Sequence, residues 1–223
     1  MSHVLGLGTF RGGAMKSQDI FLLLKLVSIE QRQEGWELPS CERDWWDWED
    51  WNVSPLKEVP TKSELRGNDY TMRSLALETG ISKSQVNLAL QRCYAVGLLK
   101  PDRKTGLPRV NISSLFEFIV YGLRYVFPAR PAELTRGIAT GLAAPVLQGK
   151  LMSAGDIPPV WSDAKGNTKG SLIEPLFKTV PQAVRRDQRL YAFLALTDAI
   201  RMGQPRERTM AAEILNKLLK ESI

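Results

Sequence analysis

Along MKSQDIFLLLKLVSIEQRQ, the apolar residues Ile20, Leu23, Leu24 and Val27, with Gln31 after them, recur every three or four positions. This spacing predicts a helix from Ser17 to about Gln33, with Ser17 as its N-cap. The same period returns twice between Tyr70 and Gly97. Leu75, Ala76 and Thr79 give a small apolar face to a helix from about Thr71 to Thr79, after which Gly80 permits a tight exit and Ile81 plugs the angle between helices. Ser82 then caps a second helix, and Gln85 three residues on completes a capping-box pattern. Val86, Ala89, Leu90 and Cys93 share its buried face. The period breaks at Gly97, and LLKPDRKTGLPRVN places two short apolar ends around a Thr105-Gly106 turn, as a hairpin requires.

Further on, ISSLFEFIVYGLRYVF carries Ser114 and Glu117 at capping-box spacing and an apolar stripe through Leu115, Phe118, Ile119 and Leu123, so a helix is expected to end near Pro128. From Ala129 to Phe177 the chain is rich in Pro, Gly and Ala, which predicts a short helix or two in otherwise irregular structure. PQAVRRDQRLYAFLALTDAI and PRERTMAAEILNKLLKESI predict two amphipathic helices separated at Gly203 and Pro205, with Pro205 in the first turn of the second. The expected fold is mainly α with a small β-hairpin. Its parts are a tail over 1–14, a domain over 15–127 that contains an insert over 34–69, and a Pro/Gly-rich segment with C-terminal helices over 128–223. The Gly-rich residues before Met15 are either a flexible tail or the product of an upstream start, with Met15 as the true one.

Charge changes this picture because it is unevenly placed. The 223 residues carry a net charge of +6, yet residues 34–69 hold ten acids against four Lys or Arg, and residues 70–130 hold nine Lys or Arg against three acids. A polyanion is drawn to the second stretch and repelled by the first. Within the acidic stretch four of the six tryptophans cluster, at Trp45, Trp46, Trp48 and Trp51, and the stretch has three prolines and no sustained period. It reads as an inserted loop. Its tryptophans either anchor a partner protein, fold back on a basic surface, or cover the core of their own domain.

The second helix of the central pair has a polar face opposite its apolar one: Lys83, Ser84, Gln85, Asn87, Leu88, Gln91 and Arg92. Gln and Asn pair with adenine and Lys or Arg with guanine when such a helix enters the major groove. The hairpin adds Lys100, Arg103, Lys104 and Arg109 for phosphate, and Arg73 is placed to contact phosphate from the first helix. Through SLALETGISKSQVNLALQRCYAVGLLK and the basic hairpin, the chain resembles the winged helix-turn-helix regulators, most closely the MarR-like group, over about 42 of its 223 residues. The resemblance implies base reading by Ser82, Lys83, Ser84, Gln85, Asn87 and Arg92, and wing contacts by Arg103, Lys104 and Arg109. The insert after the first helix and the Pro-rich region beyond Pro128 depart from that pattern.

Catalysis has little to work with. His3 is the only histidine, Cys41 and Cys93 lie far apart without metal spacing, and Asp156 and Asp163 are a carboxylate pair that nothing places together. Gly6-Leu7-Gly8 and GNTKGS lack the context of dinucleotide and phosphate loops. No enzyme activity, cofactor or metal is expected. The longest apolar run, Ile20 to Val27, is broken by Lys25 and is too short to span a bilayer. The start lacks a secretory signal, so a cytoplasmic protein without a membrane partner is expected. The sequence thus points to a transcription regulator, a repressor or autoregulator, that binds double-stranded DNA as a homodimer. The competing expectation is an antitoxin-like or accessory subunit whose Trp-rich insert holds a partner protein.

Overall fold

The computed structural model describes residues 13–36, 48, 68–148 and 157–220. Its first helix, α1 (Ser17–Glu34), is buried without a break from Gln18 to Ile29. It is therefore not amphipathic, as a surface helix would be, but enclosed on all sides. Its start is fixed by Asp19 and not by Ser17: Asp19 Oδ2 accepts the Lys16 backbone N–H at 2.9 Å. A carboxylate in the first turn also suits the positive end of the helix dipole.

The helix pair follows with the expected limits. Helix α2 (Met72–Thr79) is capped by Thr71, whose hydroxyl accepts the Ser74 N–H at 3.2 Å. Helix α3 (Lys83–Ala95) is capped by Ser82, which accepts the Gln85 N–H at 3.4 Å. Between them Gly80 takes φ of 70°, and a Cβ there would stand 2.8 Å from Thr179 Cγ2, so both conformation and space call for glycine. Leu75, Ile81, Val86, Ala89, Leu90 and Cys93 are buried as expected, and Ala76 is half-buried. Strands β1 (Leu99–Pro101) and β2 (Pro108–Val110) pair antiparallel, with Leu99 opposite Val110 on the core and Lys100 opposite Arg109.

The helix after the hairpin begins earlier than Ser114. Asn111 Oδ1 accepts the Ser114 N–H at 3.3 Å, so Asn111 is the cap of α4 (Ile112–Glu117), and Ser114 lies in its first turn. The helix widens into a π turn at Phe118–Gly122 before closing as α5 (Leu123–Val126). Leu115, Ile119 and Leu123 form its buried side.

The region from Ala129 to Phe177 is where the structure departs most from expectation. It forms three strands, β3 (Pro131–Ala139), β4 (Pro159–Ser162) and β5 (Thr168–Ile173), with single 3-10 turns at Gly141–Ala143 and Pro145–Leu147. β3 pairs antiparallel with both β4 and β5, and β4 and β5 pair parallel, so the three strands close on one another. The glycines that read as breakers permit this closure: a Cβ on Gly137 would lie 1.9 Å from the Trp161 carbonyl oxygen, and one on Gly170 2.0 Å from that of Pro158.

The C-terminal pattern also divides differently. Asp187 interrupts the expected single helix, separating α6 (Val180–Val184) from α7 (Gln188–Met202) and capping the latter by accepting the Leu190 N–H at 2.9 Å. Helix α7 is buried at every position from Leu190 to Arg201, so it is the central helix and not an amphipathic one. Helix α8 (Pro205–Lys220) is amphipathic and begins at Pro205, with Ala211, Leu215 and Leu219 buried. The fold is mainly α, with one hydrophobic cluster running from Ile20 to Leu219 that joins the 15–127 and 128–223 segments. One buried polar group inside it is fully surrounded by donors: Thr140, Trp161 Nε1 and Arg201 all donate to the Asp198 carboxylate at 2.6–3.0 Å.

Candidate nucleic-acid interface

Helix α3 is held to α1 by two polar contacts on one flank. Arg92 donates from Nε to Asp19 Oδ2 at 2.8 Å and from Nη2 to Asp19 Oδ1 at 2.6 Å, with the Asp19 side chain fully buried and that of Arg92 nearly so. A fork-to-carboxylate pair of this kind fixes the angle as well as the distance between two elements. Arg92 is thus withdrawn from the surface, which overturns its assignment as a base-reading residue. Burial of the guanidinium would cost several kcal/mol without its partner, and Asp19 supplies that partner. Nearby, Gln18 Nε2 donates to Gln85 Oε1 at 3.2 Å, so one end of the half-buried Gln85 amide is engaged within the chain. The Gln85 side chain therefore does not complete a capping box with Ser82.

What α3 leaves in solvent is a face made of Ser84, Asn87, Leu88, Gln91, Tyr94 and Ala95, with Lys83 and Ser82 at its N-terminal end. Leu88 is 44% exposed in the middle of it. No acidic side chain occurs anywhere on α3. Arg73 is exposed on α2, while the one acid of that helix, Glu78, is bound by Lys25 and Arg32.

The hairpin is shaped by Asp102. Its Oδ1 accepts the Lys104 N–H at 2.9 Å, the Thr105 N–H at 2.8 Å and the Thr105 hydroxyl at 2.9 Å. The Thr105 and Lys104 groups hold the carboxyl below its ordinary range, and Gly106 completes the turn with φ of 71°. Arg103 and Lys104 are consequently presented at an ordered tip, both exposed. Arg109 is exposed but not free, since it meets Glu30 at 3.2 Å and Asp102 at 3.7 Å. Burial pushes the Glu30 carboxyl above the usual range, against the pull of Arg109.

The hairpin therefore has two unlike sides. Toward α1, a cleft of about 230 Å³ is lined by Glu30, Glu34, Tyr70 and Asp102, with Lys104 and Arg109 on its hairpin wall. On the other side, a groove of about 590 Å³ runs past Lys100, Arg103, Lys104 and Arg109 to Asn111 and Ser113, with Asp102 as its one acid. The first is of mixed charge and the second has a clear excess of cations, so phosphate is drawn to the second over the first.

The sequence-assigned residues thus separate into groups. Arg103, Lys104 and Arg109 share the hairpin, and Ser82, Lys83, Ser84, Asn87 and Gln91 share the open side of α3. Gln85 lies at its edge, Arg73 stands on α2, and Arg92 is inside. Among the tryptophans assigned to partner binding, Trp48 is 2% exposed, bridges to Gly166 and stacks edge-on against Tyr191 at 5.9 Å. It covers the core, which corrects its assignment as an anchor. Trp45, Trp46 and Trp51 lie outside the described residues. Sequence reading missed Gln18, Asp19 and Glu30, which orient α3 and the hairpin. A carboxylate and an amide beside an apolar run were the only signal, and no local rule links Asp19 to a residue 73 positions away.

Other chemistry is sparse here. Cys93 is a free, buried thiol that burial pushes up to about 12, far from a nucleophile's range. Among the described residues no group of three or more His, Cys, Asp or Glu is placed to hold a metal ion, and no helix is long and apolar enough to cross a membrane. No family model, curated protein or solved structure matches the chain.

Proposed function

We propose that this protein is a sequence-specific DNA-binding regulator, a repressor or autoregulator, in which α2, α3 and the β1–β2 hairpin act as a winged helix-turn-helix. The observation that carries this reading is the combination of an acid-free, solvent-facing α3 with a basic groove beside it. Helix α3 enters the major groove, where Asn87 and Gln91 meet base edges and Lys83 meets phosphate near its N-terminus. Lys100, Arg103 and Lys104 hold the backbone alongside, and Arg73 adds a contact from α2.

Two copies binding half-sites about one turn apart, roughly 34 Å, is the arrangement proposed with it. The surface for pairing is not α1 or α7, whose apolar sides are consumed within one chain. Tyr121, Tyr125 and Val126 on the π turn and α5 are the large exposed apolar groups offered instead. Sedimentation at micromolar concentration, with and without DNA, tests this part: a monomer in both conditions removes it.

The test of the main reading is fluorescence anisotropy on the duplex upstream of the protein's own coding sequence and on a scrambled duplex, at two salt concentrations. A preference of roughly 1000-fold for the upstream duplex, weakening with salt, is expected. Absence of binding to both at low salt overturns it and leaves the accessory-subunit reading, in which the winged helix and the Trp-rich insert hold a partner protein.

A further inference from the structure

Resting on that reading, we infer that the α3 face selects A·T base pairs, with Asn87 and Gln91 on adenine and Leu88 against the thymine methyl. The argument begins with what the face lacks. Guanine is read in the major groove by Arg or Lys through its two acceptors, O6 and N7. Of the two cations on α3, Arg92 is locked to Asp19 inside the protein and Lys83 occupies the first position of the helix, beside the Ser82 cap. The middle of the face therefore presents no guanidinium or ammonium group.

Its actual chemistry is amide and apolar. Asn87 and Gln91 are both exposed and lie four residues apart, one turn of the helix, so their side chains project in the same direction. An amide offers a donor and an acceptor together, which matches adenine N7 and N6 and no other single base edge in the groove. Gln85 is not equivalent, because Gln18 already occupies one end of its amide. Leu88 adjoins Asn87 and is 44% exposed, while the helix positions on the opposite side are filled by Val86, Ala89, Leu90 and Cys93. An apolar side chain at the centre of a base-reading face finds one apolar partner in the groove, the C5 methyl of thymine. The amides and the leucine thus complement the two strands of the same kind of base pair.

The experiment is selection from a randomised duplex library with the full chain, followed by affinity measurement on the enriched duplex and on versions with deoxyuridine in place of single thymines or 7-deazaadenine in place of single adenines. Enrichment of an A·T core is expected. Removing one methyl should weaken binding about fourfold at one position, and removing one adenine N7 by about tenfold or more. Leu88→Ala should abolish the deoxyuridine effect and keep the 7-deazaadenine effect, and Asn87→Ala or Gln91→Ala the reverse. Leu88 and Asn87 are both exposed, so these variants fold. Enrichment of a G·C core overturns the inference while leaving DNA binding intact, as does an A·T core that is indifferent to methyl loss and to Leu88→Ala. Failure to enrich any sequence overturns the DNA-binding reading itself.

Discussion

Arg92 and Asp19 close a two-bond ion pair between α3 and α1, 2.8 and 2.6 Å long, from positions 73 residues apart. Asp19 also accepts the Lys16 N–H, so the same carboxylate starts α1 and anchors the helix that faces solvent. The orientation of α3 is thereby tied to the first turn of the chain's first helix.

Breaking that pair is expected to cost stability before it costs recognition. Arg92→Ala leaves Asp19 buried and unpaired, with an expected loss of about 3–5 kcal/mol in urea unfolding. Its effect on DNA binding should be similar for every sequence once the fraction folded is accounted for. A fully stable Arg92→Ala protein that loses discrimination at one base pair would show that Arg92 reaches DNA after all.

Glu30 holds part of the hairpin's charge in reserve. Glu30→Gln leaves Arg109 with Asp102 alone, at 3.7 Å. The plot of log affinity against log salt should steepen by about one unit as Arg109 becomes available to phosphate. Because burial raises the Glu30 carboxyl above 4.5, that group loses its charge earlier than a free glutamate as pH falls, and the wild type should approach the variant there. An unchanged slope would mean that Arg109 does not meet DNA.

Asp187 supplies the acid sensitivity of the core. Burial pushes its carboxyl up, but Lys25 at 2.8 Å, with Leu190 and Ser28, brings it below the ordinary 3.8. A carboxylate lowered in the folded state stabilises the fold above the unfolded value and ceases to do so as pH falls through the folded one. Asp187→Asn should cost about 3 kcal/mol at neutral pH, with the gap to wild type narrowing below pH 3.8. A gap that stays constant with pH would exclude this origin.

Trp48 separates core packing from partner capture. Trp48→Ala is expected to cost about 3–5 kcal/mol in urea unfolding, because its ring is enclosed beside Tyr191. A change within about 0.5 kcal/mol would place it on the surface.

The parts of the fold governed by local rules were legible in the sequence. Thr71, Ser82 and Gly80 set the ends of α2 and α3, and the apolar positions Val86, Ala89, Leu90 and Cys93 identified the inner face of α3. What depended on distant partners was not. Gly137 and Gly170 look like loop residues until Trp161 and Pro158 are packed against them, and Arg92 looks like a surface cation until Asp19 is opposite it. Likewise, period alone does not distinguish α7, enclosed on every side, from a helix with one wet face. The exposed face of α3 was therefore readable in outline, while the withdrawal of Arg92 from it depended on a contact that sequence spacing does not encode.

The most direct test compares Asn87→Ala with Lys104→Ala on one selected duplex and one random duplex of equal length. Asn87→Ala should lose about 1–3 kcal/mol on the selected duplex and almost nothing on the random one. Lys104→Ala should weaken both alike and flatten the salt dependence by about one unit. Equal losses on both duplexes for Asn87→Ala would contradict base reading by α3.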